Sequence, residues 1–102
     1  MRLLSHAEAD QEFIEATTHY LQKRPSRAVR FAEAVYRGLG LIEENPYVGQ
    51  LWRRSARGYV LKRFPYTIYY QIRTDYVLIA AFAHQSRRPG YWRKRLKWQP
   101  DS

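Results

Sequence analysis

The side chains able to do chemistry gather in the second half of the chain and are of few kinds: Arg, Lys, Tyr, Trp and one histidine, His84. Arg and Lys position and neutralise phosphates, and aromatic rings stack on bases. The same set can support metal-free RNA cleavage. There a 2′-hydroxyl attacks its own phosphate, a His or Tyr moves a proton and an Arg stabilises the added charge. Residues 51–84 hold a single carboxylate, Asp75, so acid–base work by paired carboxylates has no basis there. The chain has no cysteine, and with it no thiol nucleophile, disulfide or thiolate metal site. His6, His19 and His84 lack metal-ligand spacing, and no Ser-His-Asp set, phosphate-cradling glycine loop or dinucleotide fingerprint is present. No metal or other cofactor is expected.

Charge distribution narrows the partner. Residues 1–50 carry six Lys/Arg and seven Asp/Glu, whereas residues 51–102 carry twelve Lys/Arg and only Asp75 and Asp101. Fourteen of the eighteen basic residues are Arg, the side chain suited to bidentate contact with phosphates and carboxylates. A solvated basic surface is the bland reading; an anionic partner, nucleic acid or an acidic protein segment, is the sharper one. In residues 85–102 Arg87, Arg88, Arg93, Lys94, Arg95 and Lys97 are interleaved with Tyr91, Trp92 and Trp98, with no acid before Asp101. Trp92 is expected to dock on the body of the protein. It would thereby hold Arg87, Arg88, Tyr91, Arg93 and Arg95 where they meet a target.

The elements that must position these residues follow from periodicity. Residues 66–73 alternate, with Tyr66, Ile68, Tyr70 and Ile72 on one face and Thr67, Tyr69, Gln71 and Arg73 on the other, as in a half-buried strand. Thr74-Asp75 turns the chain, and residues 76–83 form a more deeply apolar partner strand. Antiparallel pairing sets Ile72 opposite Val77, Tyr70 opposite Ile79 and Ile68 opposite Ala81. Residues 59–64 are a third strand, with Pro65 at the bend. Upstream, residues 1–4 make a first strand, and Ser5 and Glu8 have the spacing of a capping box. Ala9, Phe13, Ala16 and Tyr20 stripe one helix. Pro25 ends it, and Ser26 caps a second helix to about Glu44 with Ala28, Phe31, Ala32, Val35, Leu39 and Ile42 inward. Asn45-Pro46 stops that helix, and residues 47–50 read as loop. The expected fold is α+β, in the order β-α-α-β-β-β. A helical hairpin packs on one face of a small antiparallel sheet, within one domain of residues 1–102. Its parts are strand plus hairpin (1–50), meander (51–84) and basic aromatic tail (85–102). No apolar run approaches ~20 residues, so no membrane span is expected. With no signal-peptide core in the first residues, a cytoplasmic protein is the reading.

The run 62–70 (KRFPYTIYY), then residues 79–84 (IAAFAH) and 87–92 (RRPGYW), resembles the ParE/RelE superfamily of toxins from type II toxin–antitoxin systems. So does the first half, with Ala7 and Asp10 opening helix one, the Ile42, Pro46 and Gly49 exit from helix two, and the element order. The resemblance spans nearly the whole chain through the order of its motifs. It implies a growth-inhibiting toxin of the plasmid-stabilisation kind, held in a hetero-oligomer by a cognate antitoxin whose acidic C-terminal segment wraps it. Two classes lie within the superfamily. RelE-like members are ribosome-dependent endoribonucleases that cut mRNA; ParE-like members lack the catalytic set and bind DNA gyrase. A catalytic Arg is expected early in the strand after the bend, where this chain has Tyr66 or Thr67. The resemblance therefore leans to the ParE-like class and non-enzymatic binding. As a ribonuclease, the chain would rely on Arg63, His84 and Arg87. A generic nucleic-acid-binding module is the third reading. If the helices cover the Ile68 face, the opposite face is open, and Thr67, Tyr69, Arg73 and Phe82 there would receive the antitoxin. Trimming after Gly90 would then spare antitoxin binding and abolish toxicity, whereas Trp92→Ala would mainly destabilise the fold.

Overall fold

The computed structural model describes residues 1–100; Asp101, read above as the acid that ends the basic run, lies outside the described residues. Strand β1 (Leu3–Ser5) leads into helix α1 (Ala7–Lys23). His6, not Ser5, caps that helix: its Nδ1 accepts from the Glu8 amide at 3.1 Å. Ser5 is still strand, since the next amide, His6 N–H, donates to Ile79 O at 2.9 Å, and its hydroxyl turns to the Asp10 carboxylate. Ala9 and Ala16 are buried on the expected stripe. A single extended residue, Arg24, separates α1 from α2 (Pro25–Glu44), whose first residue is the proline. Proline suits that position because its missing N–H would have no helical partner there.

Helix α2 buries Ala28, Phe31, Val35, Gly38 and Ile42. Gly38 is a true contact: a Cβ there would lie 3.0 Å from the Tyr59 ring and 3.1 Å from Ile68 Cδ1. Gly40 has nothing within 4 Å of such an atom, so its presence reflects no packing need. After α2, a short 3-10 turn (Pro46–Val48) is pinned by Tyr70. The Tyr70 hydroxyl accepts from Gly49 N–H at 2.9 Å and donates to Pro46 O at 2.7 Å. Burial pushes that hydroxyl above the ordinary tyrosine range.

The sheet has five strands in the order β1-β5-β4-β3-β2, where β2 is Gln50–Trp52, β3 Ala56–Val60, β4 Tyr66–Ile72 and β5 Val77–His84. It is mixed rather than wholly antiparallel: β1 runs parallel to β5, with both helices and strands β2–β4 between them in the chain. The short edge strand β2 is an addition to the expected order. It begins at Gln50, the end of the segment read as loop, and three residues are too few for a period to declare itself. Strand β3 lies earlier than expected. Leu61 and Phe64 remain buried in the bend beyond it, and Arg63 takes a left-handed φ of 68°. The β4–β5 register holds at Ile72–Val77 and Tyr70–Ile79, then shifts at Tyr69/Tyr70, so Ile68 opposes Phe82 rather than Ala81. A bulge at Ala80 accounts for the shift, because it inverts the facing of every later residue of β5.

Two cores result. Between helices and sheet lie Phe31, Ile42, Ile68, Tyr70, Ile79 and Phe82, among others. On the opposite face Ala56, Ala80, Ala81 and Ala83 form a shallow floor of small residues beneath Trp92, walled by Trp52, Tyr69, Tyr91 and Leu96. Trp92 is 1% exposed. It stacks on Tyr69 with centroids 4.5 Å apart and meets Trp52 at 4.8 Å. The protein is thus three layers deep, with residues 85–98 as the third. No helix of the described residues is long and apolar enough to cross a membrane.

Candidate target-binding surface

One carboxylate, Glu12, ties the third layer to the edge of the sheet. Strand β1 pairs with only the first residues of β5, so beyond Ile79 the outer edge of β5 has no neighbouring strand. Two side chains stand in for it. Glu12 Oε1 accepts from Phe82 N–H at 3.1 Å, and Arg95 Nη1 donates to Ala80 O at 3.0 Å. Glu12 and Arg95 then bind each other in fork fashion at 2.9 and 3.1 Å. The Tyr91 hydroxyl donates to Glu12 Oε2 at 2.6 Å. The two charged side chains are only 12% and 11% exposed, so this is a nearly buried pair with its hydrogen bonds filled. Burial, followed by the hydrogen bond to Glu12, pushes Tyr91 well above the ordinary tyrosine range. Burial works against the charge on Arg95, but Glu12, joined by Glu8 and Tyr91, outweighs it and the guanidinium is held more firmly protonated.

This sorts the six tail residues expected to meet a target. Trp92, Tyr91 and Arg95 are structural anchors facing inward. Arg87, Arg88 and Arg93 remain exposed. Arg87 lies over the Tyr91 ring at 3.8 Å, a cation–π contact that fixes the guanidinium at the end of β5. Glu12 was not singled out from the sequence. Its signal was present: it falls within the α1 stripe, between Ala9 and Phe13, where an acid has to be neutralised by something.

The residues a ribonuclease would use are not all assembled. His84 and Arg87 line a common depression of about 170 Å³ with Tyr66 and His19. Arg63 lines a different cleft, on the α2 side of the bend. His84 Nδ1 accepts the Ser86 backbone N–H at 3.0 Å, with the Ser86 hydroxyl 2.8 Å away. In the neutral ring that leaves the proton on Nε2, so the only free ring nitrogen is a donor.

The expected open sheet face is not open. The helices do cover the Ile68 face, but Trp92 and its neighbours cover the other. Phe82, inverted by the bulge, points to the helices, where its ring lies 5.7 Å from that of Phe13. Tyr69 is stacked under Trp92. Arg73 is committed to the third layer, donating to Leu96 O and Trp98 O, each at 2.6 Å. Thr67 is half-buried beside Arg87 and Arg88 in a second depression of about 170 Å³. Among the described residues no cluster of His, Asp or Glu is gathered to hold a metal ion.

A helical hairpin on a five-stranded mixed sheet, with a basic aromatic segment closing the far face, defines a small α+β domain. The chain belongs to the ParE toxin family of type II toxin–antitoxin systems (parDE), whose family model matches residues 3–89. A solved structure titled "Chromosomal ParDE TA system from P. aeruginosa" shares the fold, with a TM-score of 0.72 over 82% of this chain and 95% of that one, at 16% sequence identity. No curated protein matches the chain significantly.

Proposed function

We propose that this toxin is neutralised by a cognate antitoxin and acts by binding DNA gyrase rather than by cutting RNA. The observation that carries the choice is the state of His84. Its Nδ1 lone pair is taken by the Ser86 amide, and Arg63 opens into a separate cleft. A general base needs a free lone pair within reach of the attacking hydroxyl, and His84 has none to offer. The exposed arginines at the end of β5 suit a protein or nucleoprotein surface that is negatively charged.

Two assays side by side test the reading. Purified toxin should inhibit gyrase supercoiling or trap cleaved DNA, while translated mRNA stays intact by primer extension. Codon-positioned cuts that vanish in His84→Ala or Arg63→Ala would instead establish the RelE-like class. Salt-dependent nucleic-acid binding with neither effect would identify a generic binding module. Expression without the antitoxin should arrest growth, and co-expression should restore it; normal growth at verified soluble expression would count against a toxin.

A further inference from the structure

The third layer brings arginines from three segments into one line. Arg87 and Arg88 line the depression at the end of β5 with Thr67, Gln85 and Gly90, and no acid lines it with them. At Gly90 this depression meets a second pair of cations. A Cβ built on Gly90 would lie 2.9 Å from Arg93 Cδ and 2.9 Å from Trp52 Cη2, and the Arg53 guanidinium lies 4.9 Å over the Trp52 ring. Arg53 of the β2–β3 turn and Arg93 of the tail therefore gather around one indole. All four arginines are exposed, and among the described residues none is in an ion pair. The single acid of residues 51–100, Asp75, sits in the turn at the opposite end of β5.

The arrangement selects its ligand. Cations that converge on one point suit a small anion; these run past Gly90 and suit an extended polyanion. Gly90, at φ 75°, keeps the middle of the line bare, so a phosphodiester can approach the backbone closely. The rings beneath are already used: Tyr69 stacks on Trp92, Trp92 meets Trp52, Arg53 covers Trp52 and Arg87 covers Tyr91. A base finds no platform to stack on, so a single strand has nothing to gain from its exposed bases. An acidic peptide finds no apolar pocket for an anchor, since Trp92 is 1% exposed. Duplex DNA, with its phosphates outermost, matches a surface that offers charge alone.

We propose that this line of arginines grips the phosphate backbone of duplex DNA without regard to sequence, so that a toxin bound to gyrase also holds the DNA beside it; that setting rests on the function proposed above. Fluorescence anisotropy of the full chain with a short labelled duplex reads the contact. Affinity should fall about a hundredfold from about 50 to about 200 mM salt, as for roughly four neutralised phosphates. Arg53→Gln/Arg93→Gln should take about two from the slope of log affinity against log salt. Arg30→Gln/Arg37→Gln, at exposed positions of α2, removes the same net charge and should leave the slope unchanged. Arg53→Lys/Arg93→Lys should bind as wild type does, because a point charge serves a phosphate. The thermal midpoint should hold in every variant; if the Gln pair lowers it, Arg88→Gln carries the same test with a slope change of about one. Equal slopes for the two Gln pairs would show binding by net charge alone and overturn the proposal, as would a single strand bound more tightly than the duplex. In a second arm, inhibition of gyrase supercoiling should weaken in the Arg53→Gln/Arg93→Gln variant and return in the Lys pair. DNA affinity that follows the line with no effect on gyrase refutes the gyrase setting and leaves the line standing. Gyrase inhibition by a toxin whose DNA affinity ignores Arg53 and Arg93 refutes the line and leaves the gyrase reading standing.

Discussion

Glu12 accepts from four donors at once: Phe82 N–H, the Tyr91 hydroxyl and both terminal nitrogens of Arg95. Removing its charge strands a largely buried guanidinium, so Glu12→Gln should cost about 3 kcal/mol, read by urea denaturation. Removing both charges, as in Glu12→Gln/Arg95→Met, should recover part of that loss, because the stranded charge goes with its partner. The tyrosines set an alkaline limit. Tyr20, Tyr66, Tyr70 and Tyr91 are all raised, burial being the first cause in each. The folded state therefore holds phenolic protons that the unfolded chain gives up first. The stabilisation is complete below about pH 10 and declines as pH rises above it. Denaturation at a series of pH values should show that decline, shallower in Tyr91→Phe; an unchanged slope would assign the sensitivity elsewhere. At this scale the sequence disclosed residue types but not partners. Trp92 was legible as an aromatic that docks. Nothing local marks Glu12 out, because its four donors come from residues 70 to 83 positions away.

The helices were the most legible elements, since their stripes are set by a local period and their ends by Pro25, Asn45 and Pro46. The glycines of α2 look alike in sequence and differ in the fold. Gly40→Ala should stabilise the protein by about 0.5–1 kcal/mol, as expected for a helix position where an added Cβ meets open space. Gly38→Ala should destabilise it by about 1–2 kcal/mol by pressing on Tyr59 and Ile68. Thermal denaturation of the two variants checks the contrast. The Ala80 bulge was hidden for a physical reason: an inserted residue in an all-apolar strand leaves the pattern apolar, and only the partner strand reveals the slip. It reassigned Phe82 from the outer face to the inner. The third layer changes the outlook for trimming. Cutting after Gly90 removes Trp92 and Arg95 together, uncovering the alanine floor and the edge of β5, so the product should aggregate rather than persist as a silent toxin. Trp92→Ala alone should cost about 3–5 kcal/mol. A truncated chain that stays soluble and melts cooperatively would show that the third layer is dispensable.

Across the whole molecule, the order of elements apart from β2 and the placement of positive charge in the second half could be read directly. What could not be read was how that charge divides. Some of it turns inward as clamps (Arg73, Arg95), some stays at the end of β5 (Arg87, Arg88), and some joins α2 in a cleft of its own. The clamp between Glu12 and Arg95 also has a consequence for time. It joins residues 83 apart, and β1 meets β5 across nearly the same span. Contacts of such separation close late, after the local helices and hairpins exist. Interactions absent from the folding transition state govern how fast the native state opens rather than how fast it forms. Glu12→Gln is therefore expected to shorten the lifetime of the folded toxin while leaving its folding rate nearly untouched. Stopped-flow measurements on both limbs would read this directly: the persistence of the folded toxin would rest on one largely buried carboxylate.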